Sequence, residues 1–135
     1  MIVVDASALA EYVIDTPTGR LVGNRLLADQ DLHVPHLTSI ETASVIRGWM
    51  RGGLLDERVA ARALIDLSDL AAERHGHEPY LGRVWQLRHN VTAYDAVYVA
   101  LAEALGVPLL TCDARLGRAP LTDVTIEVIA RPSEN

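Results

Sequence analysis

Short apolar runs alternate along the chain with longer segments whose apolar positions recur every three or four residues. The runs are too short for helices and predict buried strands at residues 2–4, 32–34, 108–111 and 124–129. The periodic segments predict helices at residues 6–14, 20–28, 38–51, 56–74, 80–88 and 92–105. Strands separated by helices are typical of a parallel sheet covered on both faces. We therefore expect an α/β protein, a three-layer α/β/α fold around a short central parallel sheet.

The segments between these elements are short and contain the residues that end helices. Gly52 and Gly53 follow one predicted helix, and Gly106 follows another, as expected for C-terminal stops. The sequence contains neither a linker nor an internal repeat, and 135 residues suit one domain. We expect a single domain over residues 1–130, followed by a polar tail at residues 131–135.

Composition excludes several classes of function. The twelve basic residues are all arginine, so any mechanism that needs a catalytic lysine is excluded, and the single cysteine excludes a cysteine-rich zinc site. A net charge of -6 argues against a protein that coats nucleic acid with a basic surface, but it is compatible with a nuclease whose acids hold metal ions. Because no apolar run is long enough for a membrane helix and no signal-peptide pattern is present, we expect a cytoplasmic protein without a membrane segment.

Four acidic residues occupy equivalent places relative to the predicted strands. Asp5 and Asp113 directly follow strands, Glu41 lies in the first turn of the helix that leaves the second strand, and Asp95 opens the helix that precedes the third. That helix runs antiparallel to the strands, so its first turn also lies at their carboxyl ends. Ligands of open α/β sheets bind at this edge, and the topology therefore predicts four clustered carboxylates.

Each of these acids also has a simpler interpretation, because each stands where a helix cap is expected. Thr38 and Thr92 precede Glu41 and Asp95 by three residues, the spacing of a capping box. Four caps at one edge would nevertheless crowd negative charge and raise the pKa of the carboxyls. A divalent cation would offset that charge, and a site of carboxylates alone favours Mg²⁺ or Mn²⁺ over Zn²⁺.

Four segments that carry these acids resemble the PIN-domain family, and within it the VapC toxins of bacterial toxin–antitoxin pairs. The segments are Ile-Val-Val-Asp-Ala-Ser-Ala-Leu, Val-Pro-His-Leu-Thr-Ser-Ile-Glu, Thr-Ala-Tyr-Asp-Ala-Val-Tyr-Val-Ala-Leu-Ala-Glu and Leu-Leu-Thr-Cys-Asp-Ala-Arg-Leu. They occur in the family's order and spacing over nearly the whole chain. The resemblance implies an endoribonuclease that depends on Mg²⁺ or Mn²⁺, forms a homodimer and is silenced by a VapB-type antitoxin.

The resemblance also assigns roles to individual residues. Asp5, Glu41, Asp95 and Asp113 match the family's metal-binding and catalytic acids, and Ser7 and Thr111 match polar positions that support them. Water is the expected nucleophile, so products should carry 5′-phosphate and 3′-hydroxyl ends. Whether one ion or two act stays open, as does the identity of the RNA. Arg115 and Arg118 follow Asp113 closely and are our candidates for contacts with substrate phosphate.

Two other functions compete with this one. A phosphatase of the haloacid-dehalogenase type needs a second aspartate where this chain has Ser7 and also needs a lysine, so we reject it. A non-catalytic PIN-like interaction module is the main alternative, but loss of one or more acids would be its signature.

Surface residues give two further predictions. His75 and His77 could suggest a metal site but are interpreted as residues of a solvated loop, and His33 and His36 are interpreted as ordinary surface or capping residues. Leu9, Tyr12, Leu26 and Trp49 supply more apolar surface than a small sheet needs, which predicts that some are exposed to a partner.

Overall fold

Five parallel strands form the central sheet of the computed structural model, which describes residues 1–132. The strand order is β3-β2-β1-β4-β5, and each neighbouring pair is parallel. The strands are β1 (Ile2–Val4), β2 (Leu32–Pro35), β3 (Ala72–His75), β4 (Leu109–Thr111) and β5 (Ile126–Val128). The chain moves outward from β1 to β3 and then returns to the other side of β1. The switch in strand order therefore lies between β1 and β4.

Helices connect the strands and cover the sheet on both faces. They are α1 (Ala6–Ile14), α2 (Pro17–Ala28), α3 (Thr38–Arg51), α4 (Glu57–Ser68), α5 (Leu81–Gln86), α6 (Ala93–Leu105) and α7 (Ala114–Gly117), with a 3₁₀ turn at Glu78–Tyr80. This arrangement confirms the predicted α/β fold. None of these helices has both the length and the apolar character needed to cross a membrane.

The alternation of side chains along the strands divides the core into two layers. Ile2 and Val4 pack with residues of α1 and α2, while Val3 points the other way and packs with α6. A third cluster joins α1 to α3 and α4 through Ala10, Ile46, Ala60 and Ala63. Since β1 is buried on both faces, its three residues are all apolar, as the parallel-sheet rule requires.

A close approach between α1 and α2 depends on one glycine. A Cβ at Gly19 would lie 1.9 Å from the backbone oxygen of Glu11, so a larger residue would force the two helices apart. The predicted stop of α6 at Gly106 is confirmed, because this residue adopts the left-handed conformation with φ 67°.

The structure corrects the predicted helix at residues 56–74. Helix α4 ends at Ser68, and the chain then forms β3, a fifth strand that the apolar pattern did not predict. β3 contains Glu73 and Arg74, which are exposed at the sheet edge. Its strand conformation comes from pairing with β2, and local sequence does not report such non-local pairing.

Several smaller predictions also differ from the structure. Thr38 is not a capping residue, because α3 starts after Leu37 and lacks a side-chain cap. His33 is 4% exposed and therefore not a surface residue. The prediction that some of four apolar residues are exposed holds for Tyr12, whereas Leu9 and Leu26 are buried in the core. Arg131, in the predicted tail, donates to Glu11 at 2.9 Å; residues 133–135 of that tail lie outside the described part.

Candidate metal-binding active site

The four predicted acids line one pocket beside the switch in strand order. Asp5 follows β1, Asp113 follows β4, and Glu41 and Asp95 lie in the first turns of α3 and α6. The pocket has a volume of about 270 Å³, and its wall also includes Ala6, Ser7, Ser44, Val45 and Tyr98. The structure thus brings together the residues that topology predicted to meet.

Asp5 is the buried member of the group, and hydrogen bonds hold both of its carboxylate oxygens. Its Oδ1 accepts from the Ser7 hydroxyl at 2.6 Å and from the Ala8 N–H at 3.1 Å. Its Oδ2 accepts from the Thr111 hydroxyl at 2.5 Å. Each oxygen has two acceptor sites, so these contacts fill Oδ1 and leave one site on Oδ2.

The same two hydroxyls also bind the chain after β4. Ser7 Oγ accepts from the Cys112 N–H at 2.9 Å, and Thr111 Oγ1 accepts from the Asp113 N–H at 3.0 Å. Each hydroxyl therefore donates to Asp5 and accepts from the backbone that leads to Asp113. This network fixes the ends of β1 and β4 relative to each other.

Glu41 and Tyr98 form a second contact across the pocket. The buried Tyr98 hydroxyl donates to Glu41 Oε1 at 2.7 Å, and burial raises the pKa of Tyr98 above its usual range. The phenol therefore stays protonated and fixes one oxygen of Glu41. Sequence reasoning missed Tyr98, although it lies three residues after Asp95 and so on the same face of α6.

Three of the four predicted caps coexist with the cluster, the exception being the one at Thr38. Asp5 accepts from the Ala8 N–H in the first turn of α1, and Asp113 Oδ1 accepts from the Arg115 N–H at 2.9 Å. Thr92 caps α6 by accepting from the Asp95 N–H at 3.2 Å. Capping and clustering are therefore two consequences of placing helix starts at one sheet edge.

The pocket disfavours negative charge on three of its acids. Burial is the largest cause that raises the pKa of Asp5 above its ordinary 3.8; its hydrogen bonds oppose the shift, and the charge of Asp95 adds to it. Burial likewise raises the pKa of Glu41, where the charges of Asp95 and Asp5 contribute. Burial, followed by the charge of Asp113, raises the pKa of Asp95. A cation in this pocket would relieve these costs.

The donor set fits a hard cation. All four candidate ligands are carboxylates, which suit Mg²⁺ or Mn²⁺. Among residues 1–132, no three of these acids bring their ligand oxygens within 4.8 Å of one another. As placed, no more than two of these acids can therefore ligate one ion directly, and water would complete the shell, as Mg²⁺ allows.

A second groove shares Asp95 and Asp113 with the acidic pocket. Its volume is about 400 Å³, and its other lining residues are Arg88, His89, Asn90, Val91, Thr92, Arg115, Leu116 and Ala119. Arg115 also contacts Asp113, with Nη2 3.3 Å from Oδ2. Arg118 is exposed and does not line this groove. The sequence did not single out Arg88, whose guanidinium lies 4.6 Å from the Trp85 ring centroid.

Comparison with known proteins identifies the family. The profile described as "PIN domain" matches residues 2–121. The chain belongs to the PIN domain family. The protein named "Ribonuclease VapC1" of Mycobacterium tuberculosis is 41% identical over 128 residues, which are 94% of this chain and 96% of that protein. The predicted resemblance to VapC proteins is thereby confirmed.

Solved structures share this PIN fold. PAE2754 of Pyrobaculum aerophilum matches with a TM-score of 0.68 and 26% identity, over 94% of this chain and 83% of that one. A DNA-bound VapBC from Salmonella typhimurium matches with a TM-score of 0.62 and 17% identity, over 96% of this chain and 98% of that one.

We predict that Asp95→Asn does not destabilise the metal-free protein at pH 7. Because the folded-state pKa of Asp95 is raised, the folded chain binds this proton more tightly than the unfolded chain. Its contribution to stability is therefore lost as pH rises from 3.8 through the folded pKa. Asparagine removes the cost of holding a charged carboxylate at this position. The melting temperature of the variant in EDTA should therefore equal or exceed that of the parent at pH 7, and the difference between the two melting temperatures should disappear near pH 4.

The measurement is thermal unfolding in EDTA across this pH range. Asp123→Asn changes an exposed aspartate outside the pocket and serves as the matched control. A change of 1 kcal/mol corresponds to about 4 °C at this size. An Asp95→Asn protein that melts more than this amount below both the parent and the control at pH 7 would contradict the interpretation.

Proposed function

We propose that this PIN-domain protein is a metal-dependent endoribonuclease and the toxin of a type II toxin–antitoxin pair. The observation that carries the proposal is the gathering of four carboxylates around one pocket at the switch point of a PIN fold. The name of its VapC1 relative gives the activity as that of a ribonuclease.

In this proposal the four acids hold Mg²⁺ or Mn²⁺, and the protein's own contacts set their positions. A bound divalent cation supplies an acidified water near neutral pH and offsets charge on the phosphoryl oxygens. Asp5 is held by Ser7 and Thr111, and Tyr98 orients Glu41. Asp95 and Asp113 border both the acidic pocket and the groove, where they can face the scissile phosphate.

Substrate RNA would lie along the groove that carries Arg88 and Arg115. Arginine recognises phosphate through its planar set of donors, and an exposed aromatic ring can stack on an unpaired base. Trp85 is 67% exposed beside Arg88. These local contacts explain how a chain of net charge -6 would bind a polyanion, and hydrolysis by water would leave 5′-phosphate and 3′-hydroxyl ends.

Partners follow from the same proposal. The solved Salmonella assembly is named VapBC, and we extend this pairing to a VapB-type antitoxin, with a homodimer of this chain in a cytoplasmic complex. A short DNA-binding protein encoded beside this gene would support that pairing.

The alternative function, a non-catalytic PIN-like module, differs by predicting no RNA cleavage under any metal condition.

We predict that Glu41→Gln, Asp95→Asn and Asp113→Asn each reduce RNA cleavage by about 100-fold or more while the fold survives, because each removes a metal ligand. Asp5→Asn should be equally inactive but less stable, since an amide has one acceptor oxygen for the three donors that bind Asp5. Cleavage of structured RNA is measured with Mg²⁺ or Mn²⁺ and with excess EDTA, and Asp123→Asn is the control. Full activity of any two pocket variants, or of the parent in EDTA, would exclude the proposed site.

We predict that Arg88→Ala and Arg115→Ala weaken RNA binding across sequences. Each lost phosphate contact should reduce the slope of log affinity against log salt by about 0.7 for single strands. Affinity is measured in the Asp95→Asn background, where RNA stays intact. Arg118→Ala tests the candidate outside the groove, and Arg62→Ala, on the exposed face of α4, is the matched control. If neither Arg88→Ala nor Arg115→Ala changes the affinity for RNA, the groove is not the RNA-binding surface.

A further inference from the structure

Three side chains on β2 and β3 converge outside the acidic pocket. Residue 33 pairs with residue 73 in the parallel register, and residue 75 follows two positions later, so His33, Glu73 and His75 project from one face of the sheet. Their ligand atoms all lie within 4.8 Å of one another, and among the described residues they are the one group of three that meets this condition. None of them lines the acidic pocket.

The contacts among these side chains resemble those of a metal-binding group. His33 Nδ1 lies 2.9 Å from His75 Nε2 and 3.5 Å from Glu73 Oε2. On a tetrahedral zinc ion with Zn–N distances of about 2.0–2.1 Å, two nitrogens would lie roughly 3.3 Å apart. Widening this separation by a few tenths of an ångström, with rotation of the rings so that both lone pairs face one point, would admit an ion between them.

Asp31 fixes the tautomer that such a site needs. His33 is 4% exposed, and its Nε2 lies 3.0 Å from Asp31 Oδ1. Because a carboxylate only accepts hydrogen bonds, the proton of a neutral His33 lies on Nε2, and the lone pair of Nδ1 points toward His75 and Glu73. A carboxylate behind a histidine in this way is the usual support of a metal-bound imidazole.

We propose that His33, Glu73 and His75 bind a divalent transition-metal ion of the Zn²⁺ class, with Asp31 as a positioning residue. Two imidazoles and one carboxylate are a donor set that Zn²⁺ uses, with a fourth position left to water. Binding requires His75 to carry its proton on Nδ1, and Glu73 is exposed, so the ion can enter from solvent. The site joins the outer strand β3 to β2 and thereby fastens an edge of the sheet. The proposal does not depend on the nuclease activity.

The test is titration of the untagged, metal-free protein with Co²⁺, whose visible absorption reports four-coordinate ligation, followed by displacement with Zn²⁺. We expect one Co²⁺ per chain with this signature, at least 100-fold weaker binding in His75→Ala and Glu73→Gln, and about 10–100-fold weaker binding with the signature retained in Asp31→Asn. Circular dichroism checks that each variant is folded. His75 and Glu73 are not fully buried, so we expect their variants to fold.

Two controls separate this site from other ligands. His36→Ala removes an exposed imidazole from the neighbouring segment, and Asp113→Asn alters the acidic pocket; both should keep the Co²⁺ signature. Absence of the signature in the parent, its survival in folded His75→Ala, or its loss in Asp113→Asn would overturn the proposal. If the parent protein shows no Co²⁺ signature, His33 and His75 share only an N–H···N hydrogen bond.

Discussion

Two hydroxyl groups fix the position of Asp5 and of the chain that leads to Asp113, and so hold together the two strand ends that border the acidic pocket. Ser7 and Thr111 donate to its two oxygens and accept from the backbone N–H groups of residues 112 and 113. A buried carboxylate without such partners would be costly. With them, it ties the end of β1 to the end of β4 at the switch in strand order, where an open α/β sheet leaves its ligand crevice.

The other acids add charge that the fold alone does not neutralise. Helix N-termini stabilise carboxylates only partly, while burial and then the charge of neighbouring acids raise the pKa values of Asp5, Glu41 and Asp95. A surface assembled only for stability would not collect such groups. A divalent cation that binds these carboxylates together with a substrate phosphate would offset the free-energy cost of clustering them. This is the physical basis for proposing a nuclease.

The sequence predicted the central strands and the acidic pocket because both depend on local signals. Ile2–Val4 and Leu109–Thr111 are buried along their whole length and, apart from Thr111, apolar, and an acid after each strand must lie at the same edge. The sequence did not predict β3, because its exposed Glu73 and Arg74 form a strand only by pairing with β2. That error also concealed the meeting of His33 with His75, which are 42 positions apart. Tyr98 was missed because an aromatic residue on an apolar helix face is interpreted as core, and here it is both core and a donor to Glu41.

We propose above all that these carboxylates serve a reaction in which water attacks the phosphodiester. Cleavage in ¹⁸O-labelled water, followed by mass analysis of the RNA fragments, tests it directly. We expect one ¹⁸O atom in the new 5′-phosphate of each downstream fragment and an unlabelled 3′-hydroxyl on its upstream partner. A 2′,3′-cyclic phosphate with a 5′-hydroxyl, formed without the label, would show attack by the ribose 2′-hydroxyl and would rule out hydrolysis by water.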